Sequence, residues 1–273
     1  MAKFSFIGTG NMGGALARAA VRRLPPDEVL LSNRTQAKAE ALAKELHCAA
    51  GSVRQAAKEG KYIFLGVKPQ MMADLLRELA PVLAARCDRF VLVTMAAGLT
   101  MEKILGMCEP NGADSPAYPV IRIMPNTPCA VGEGMILYDA NAQVTPEELT
   151  EFTEGMSGAG VLDRLEEKLI DAGSAVAGCG PAFTCQFMEA LADGGVACGL
   201  PRGKAMLYAA QMLKGTAALQ LSTGQHPGAM KDAVCSPGGS TIAGVRTLEE
   251  HGFRGGVMDA VIAAVERTKE LGK

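Results

Sequence analysis

The sequence predicts an α/β domain built on a mostly parallel sheet, followed by an all-α domain. Three observations carry this. Short apolar runs alternate with helical stretches through the first half of the chain. A glycine-spaced turn, Gly8-x-Gly10-x-x-Gly13, follows the first apolar run and opens a helix. Past about residue 150 only helical patterns are read, so the boundary is placed near residue 152, giving domains 1–152 and 153–273.

Each element follows from local chemistry. The runs Phe4–Ile7, Val29–Leu31, Tyr62–Val67, Phe90–Thr94, Val120–Met124 and Met135–Tyr138 are short and apolar, as buried strands are. Helical stretches such as Gly13–Leu24, Thr35–Leu46 and Met71–Leu83 fall between them. Thr145 as cap, Pro146 at the first helical position and Glu148 three residues on make a capping-box start. Beyond it no strand is expected. Helices are expected over Glu166–Ala177, Pro181–Cys198, Arg202–Leu221, Pro227–Val234, Thr241–His251 and Gly255–Leu271.

With 48% hydrophobic and 21% charged residues, the 273-residue chain has a globular balance and enough length to bury a core without staples. A net charge of −2 offers no electrostatic case for nucleic acid or an acidic membrane, so any phosphate must be held by a local site. The eight cysteines are scattered, form no CxxC pair, and read as buried thiols in a reducing compartment. Three histidines without ligand spacing argue against a zinc site. No secretory signal precedes the first strand, and a cytoplasmic protein is expected. The apolar stretch Gly173–Leu200 is interrupted by Pro181, Glu189 and Asp193, which suits a buried helix and not a membrane span.

The glycine spacing has a physical reason. Gly8 permits the tight turn, Gly10 lets the backbone approach a pyrophosphate, and Gly13 lets helix and strand pack closely. The helix N-terminus at Asn11 and Met12 then attracts phosphate charge, which brings Thr9, Asn11 and Met12 into the candidate cofactor set. The second strand decides between dinucleotides. An NAD site wants a carboxylate there to bond the ribose hydroxyl, but the strand ends Leu31-Ser32-Asn33-Arg34-Thr35 with no acid. Arg34 can stack on adenine and pair with a 2′-phosphate, helped by Asn33, so NADPH is expected, with NADH as the alternative. Three further loops lie at strand ends: Val67-Lys68-Pro69-Gln70, Met95-Ala96-Ala97-Gly98 and Met124-Pro125-Asn126-Thr127-Pro128. Small or proline-fixed residues there suit close contact with the nicotinamide half. Plain turn chemistry is the alternative for each taken singly.

In the helical half, Asp232-Ala233-Val234-Cys235-Ser236-Pro237-Gly238-Gly239-Ser240-Thr241-Ile242-Ala243-Gly244 joins two helices. Gly238 and Gly239 leave backbone N–H groups uncovered, and a helix N-terminus follows. Ser236, Ser240 and Thr241 add three hydroxyls. The bland reading is a helix cap. A cap needs one hydroxyl, so the run favours a site for a small carboxylate.

At these residues the chain resembles the Δ1-pyrroline-5-carboxylate reductase family, over essentially its whole length. The glycine loop Gly8–Gly14, Val67-Lys68-Pro69, Met95-Ala96-Ala97-Gly98, Arg122-Ile123-Met124-Pro125-Asn126-Thr127-Pro128, Gly180-Pro181-Ala182 and Asp232–Gly244 look like its motifs. The resemblance implies a Rossmann-type N-terminal domain and an all-α C-terminal dimerisation domain, the latter interlocked between subunits of a homodimer or higher oligomer. It implies NAD(P)H-dependent reduction of the cyclic imine pyrroline-5-carboxylate to L-proline, the last step of proline biosynthesis. Ser236, Gly238, Gly239, Ser240 and Thr241 carry over as substrate contacts, with Thr241 nearest the ring nitrogen. Gly8, Thr9, Gly10, Asn11, Met12, Asn33, Arg34, Val67, Lys68, Pro69, Met95, Ala96, Ala97 and Asn126 are the expected cofactor contacts, and no metal is expected. Cys179 and Phe183 depart from the serine and tyrosine that the family often has around Gly-Pro-Ala, and Val53 stands where some relatives have a polar cofactor contact.

Three other functions compete. A β-hydroxyacid dehydrogenase needs a proton-transferring lysine about one helical turn after a glycine-rich segment resembling Ala177–Gly180, and the position four past Gly180 is Thr184. A magnesium-dependent reductoisomerase needs paired acidic clusters, and Glu189 and Asp193 form only one i, i+4 pair. A dinucleotide sensor without turnover needs no second-domain loop, against which the intact Ser236–Thr241 segment speaks.

Overall fold

The computed structural model describes residues 2–108 and 117–271. Two compact units appear: Met1–Cys179 together with Ala264–Lys273, and Gly180–Ala263. In chain order the first contains β1 (Phe4–Ile7), α1 (Asn11–Ala20), β2 (Val29–Ser32), α2 (Gln36–Leu46), β3 (Ala49–Ala50), α3 (Val53–Glu59), β4 (Tyr62–Leu65), α4 (Met72–Ala84) and β5 (Val91–Thr94). Then come α5 (Met101–Met107), β6 (Val120–Met124), β7 (Gly134–Ala140), α6 (Pro146–Met156), β8 (Gly160–Arg164) and α7 (Glu167–Ala177).

The eight strands form one sheet in the order β3-β2-β1-β4-β5-β6-β7-β8. Every neighbouring pair is parallel except β6 and β7, which run antiparallel. The chain leaves β1 in one direction for β2 and returns to its other side for β4. The carboxyl end of β1 is therefore the switch point at which such sheets bind ligands. Both sheet faces are covered. Phe4, Phe6, Tyr62, Phe64 and Phe152 pack on one face beneath α1 and α6, with ring centroids as close as 4.3 Å for Phe6 and Phe64. Ile7, Ile63, Leu65, Leu76 and Leu92 pack on the other with α3 and α4.

The expected start at Thr145 forms a complete capping box with Glu148. Glu148 is also gripped by Arg89 at 2.7 Å, and its backbone carbonyl accepts the buried Tyr62 hydroxyl at 2.7 Å. Burial pushes the Glu148 carboxyl up, yet the Arg89 hydrogen bond and the Thr145 N–H outweigh it and hold the group below the usual carboxylate range.

Three sequence expectations change. A strand does follow residue 145: β8 joins β7 in parallel, from Gly160↔Gly134 to Arg164↔Tyr138. It is an exposed edge strand ending in Asp163 and Arg164, so it carries no buried apolar run to read. The short β3 and the helices α3 and α5 were likewise not expected, being of two and seven residues. The thiols are free, but only Cys108 and Cys129 are buried, while Cys87, Cys185 and Cys198 are exposed. Burial pushes the Cys108 thiol up to about 12 and raises Cys129 too, which leaves both inert as nucleophiles.

The second unit holds α8 (Gly180–Ala197), α9 (Arg202–Thr223), α10 (Pro227–Ala233), α11 (Ser240–Glu250) and the start of α12 (Phe253–Leu271). α8 and α9 pack as an antiparallel-type hairpin pair. At their turn a Cβ on Gly195 would stand 3.2 Å from Leu200 Cδ1 and 3.3 Å from Ala205 Cβ. No described helix is long and apolar enough to cross a membrane.

Candidate active site

The glycine loop is built by backbone crowding at the switch point. Gly8 adopts φ +101°, and a Cβ there would lie 2.5 Å from Gly66 O. A Cβ on Gly13 would collide with Gly8 O. Gly10 is different: a Cβ there would meet nothing within 4 Å. The protein's own packing thus demands Gly8 and Gly13, while Gly10 keeps open the space in front of α1. Gly10 caps that helix without a side-chain hydrogen bond, so the first-turn N–H groups at Asn11 and Met12 have no side-chain cap. Thr9 Oγ1 is buried without a hydrogen-bond partner among the described residues. Its N–H donates to Asn33 Oδ1 at 3.3 Å, which ties the loop to the end of β2.

A cavity of about 590 Å³ opens here, lined by Gly8, Gly10, Asn33, Arg34, Lys38, Val53, Gly66, Val67 and Lys68, and closed by Met71, Leu75, Asp74 and Glu78. Its charges are sorted. Asp74 pairs with Arg77 at 2.8 Å and Glu78 with Arg54 at 3.6 Å. Arg34, Lys38 and Lys68 have no ion pair among the described residues. The cavity thus combines spare cations with an apolar wall, and the loop that borders it at Gly8 and Gly10 leads into the uncapped N-terminus of α1, which fits a phosphorylated dinucleotide with an adenine. Lys38 was missed in the sequence. It lies in the first turn of α2, three residues past the Thr35 cap, and a single basic residue at an exposed helix start gives no local signal of a ligand.

The remaining expected cofactor residues sit elsewhere at the same strand ends. Pro69 opens a short turn before α4. Ala96 is buried, and Ala97 packs on the small cluster Met124, Leu137 and Ile170, with partly buried Met95 against the main core. Asn126 is also buried, and both ends of its amide are engaged: Nδ2 donates to Ala177 O at 3.0 Å, and Oδ1 accepts the Met135 N–H at 2.9 Å.

The substrate-loop residues gather within the helical unit. Gly238 takes φ +68°, a conformation suited to glycine, and a Cβ on Gly239 would collide with Ser236 Oγ. Gly239 caps α11 with no side-chain hydrogen bond. The hydroxyls of Ser236, Ser240 and Thr241 make no hydrogen bond among the described residues, and all three residues are exposed. They are not spent on capping the helix. That favours the ligand reading over the bland one, with the N–H groups of Ser240, Thr241 and Ile242 pointing along the dipole of an 11-residue helix. Lys231 stands near the foot of this loop, and its hydrogen bond to Asp232 holds the ammonium above the usual lysine range. Among the described residues no cluster of His, Cys, Asp or Glu could hold a metal.

Comparison with known proteins covers both units. Residues 167–271 match the family model described as pyrroline-5-carboxylate reductase dimerisation, and residues 3–98 match NADP oxidoreductase coenzyme F420-dependent. The pyrroline-5-carboxylate reductase of Synechocystis sp. is 38% identical over 268 residues, covering 96% of each chain. That of Glycine max is 38% identical over 97% of this chain and 94% of its own. Among solved structures, the Plasmodium falciparum pyrroline carboxylate reductase with NADP bound superposes with a TM-score of 0.87 at 29% identity. The alignment covers 100% of this chain and 98% of that one.

Proposed function

The chain belongs to the pyrroline-5-carboxylate reductase family, and we propose how its own residues carry out that family's reaction. It is an NADPH-dependent oxidoreductase that reduces Δ1-pyrroline-5-carboxylate to L-proline, with NADH as the alternative donor. The observation that carries the assignment of roles is that each unit holds a helix N-terminus without a side-chain cap: α1 behind Gly10, and α11 behind Gly239.

When bound, the dinucleotide supplies a hydride to the imine carbon. The backbone of Gly8, Thr9, Gly10, Asn11 and Met12 holds the pyrophosphate. Asn33 orders that loop, and Arg34 with Lys38 takes the 2′-phosphate. Val67, Lys68 and Pro69 flank the middle of the cofactor. Met95, Ala96, Ala97 and the strand end at Asn126 shape the nicotinamide side, where Asn126, its amide already engaged, acts by positioning. In the helical domain, Ser236, Gly238, Gly239 and Ser240 hold the substrate carboxylate through N–H groups and hydroxyls. Thr241 hydrogen-bonds the ring nitrogen and orients it as it becomes an amine. The chemistry asks for no metal and no strong base; it asks for placement.

The C-terminal helices act as the dimerisation and substrate-binding region, so the working form is a homodimer or a larger assembly through them. The apolar surface of α9 and α12 supports this reading. Unpaired thiols suit the cytoplasm. The decisive experiment is NADPH oxidation with pyrroline-5-carboxylate by wild type and Thr241→Ala. The variant should lose roughly 10- to 100-fold in kcat/KM while binding NADPH normally. Full retention removes Thr241 from the mechanism, and an inert wild type removes the reading itself.

A further inference from the structure

α7 is fastened at both ends to the strand ends that carry Met95–Gly98 and Met124–Asn126. At its first turn, Glu167 Oε1 accepts the Met101 N–H of α5 at 2.7 Å and lies 3.4 Å from Arg122 Nη1. One turn on, Asp171 Oδ1 accepts Arg122 Nη2 at 2.5 Å. At the last turn, Ala177 O accepts the Asn126 amide at 3.0 Å. Between these points Ile170 packs with Met124 and Leu137, and Ala97 lies against them.

Arg122 is the unexpected member. It is 1% exposed, and its Nε has no partner among the described residues. A buried guanidinium left partly unsatisfied is costly, and an apolar side chain fills such a strand position at less expense. Its neighbours Ile121 and Ile123 do just that. Stability therefore does not account for Arg122, but its place does. It stands in register with Thr94, the last residue before Met95, and two residues before Met124. Its fork reaches two carboxylates on α7, one of which also holds the first N–H of α5.

We propose that Arg122 is a positioning residue for hydride transfer: with Glu167 and Asp171 it fixes the spacing of the Met95–Gly98 and Met124–Asn126 strand ends. The inference rests on the reading above that these two segments shape the nicotinamide side. Lysine cannot replace this fork, because it brings one point charge where two acceptors must be met.

The test is a single-turnover measurement on the whole enzyme, with saturating NADPH and pyrroline-5-carboxylate, alongside NADPH affinity by fluorescence. Arg122→Lys and Glu167→Ala should slow the rate constant of NADPH oxidation by about 10- to 100-fold, the scale expected of small misplacements. The amplitude and NADPH affinity should stay near wild type. Glu167→Gln, whose carbonyl still accepts the Met101 N–H, should recover the rate. A purely structural role would lower the amplitude and leave the rate constant alone, and that result overturns the proposal. So does a Glu167→Gln variant as slow as Glu167→Ala. If Arg122→Lys does not fold, the Glu167 pair decides on the same readouts. A wild type inert toward the substrate overturns the underlying reading as well. A wild type that turns over while both variants keep its rate constant overturns this inference alone.

Discussion

In the sheet unit the large apolar side chains are inside: Phe4, Phe6, Phe64, Phe152 and Leu65 are fully buried. In the helical unit Gly180–Ala263, the buried hydrophobic residues among those described are three alanines: Ala192, Ala205 and Ala209. Leu207, Leu219, Leu221, Met258 and Ile262 are each more than half exposed. The sheet unit closes its core with helices on both faces of one sheet. The helical unit packs α8 against α9, with Phe187 of α8 meeting Phe253 of α12 at 5.6 Å between ring centroids, and the apolar residues of α9 go round the helix instead of forming one stripe. The first closes its own core, whereas the second leaves large apolar side chains uncovered, and its match to a dimerisation model supports self-association.

This contrast can be broken most sharply by one substitution in each unit. Phe64→Ala should cost about 3–5 kcal/mol and lower the melting temperature at every protein concentration. Leu207→Glu should instead raise the subunit dissociation constant by roughly 100-fold or more, as a charge enters an apolar contact. Sedimentation would read the dissociation, with activity lost at low protein and recovered at high. A Leu207→Glu protein that stays assembled when dilute would show that this face of α9 is not the contact.

A smaller effect separates ligand chemistry from packing inside the sheet unit. Lys38→Met, at an exposed position, should raise KM for NADPH by about tenfold, the worth of one charge-assisted hydrogen bond, and leave KM for NADH unchanged. Equal effects on both coenzymes would move Lys38 away from the 2′-phosphate.

The smallest expected effect concerns pH. Glu148 titrates lower in the folded protein than in the unfolded chain. Its stabilisation is therefore fully present above the unfolded carboxylate value of about 4.5, and is lost as pH falls through the folded value. Glu148→Gln should remove about 1 kcal/mol at neutral pH and flatten the acid limb of the stability curve. Denaturant midpoints at neutral and acidic pH would check this. An acid limb unchanged in the variant would reassign the loss to other carboxylates such as Glu151, which Lys61 and Tyr62 also hold low against the pull of burial.

Legibility in the sequence followed how local the cause was. The strands β1, β4 and β6 carry their burial in their own composition, and the capping box at Thr145 needs only four consecutive residues. The glycine loop was legible because backbone crowding leaves no other residue type at Gly8 and Gly13. β8 was not, because an exposed edge strand takes its hydrogen bonds from β7 and shows no apolar signature. Exposure of Cys185 and Cys198 was not legible either, since apolar surroundings in sequence do not say which helix face lacks a neighbour.

The sequence by itself determined the fold class, the dinucleotide loop, the acid-free end of β2 and the glycine–hydroxyl run before α11. Each depends on residue types a few positions apart. Only the tertiary structure decided that Lys38 joins Arg34 at the cavity, that the Asn126 amide is already engaged, and that Arg122 is buried against Glu167 and Asp171. Those facts depend on pairs 45 and 49 residues apart for Arg122 and 51 apart for Asn126. No local pattern encodes such distances; they are set when the strands take their order in the sheet and α7 is laid across their ends.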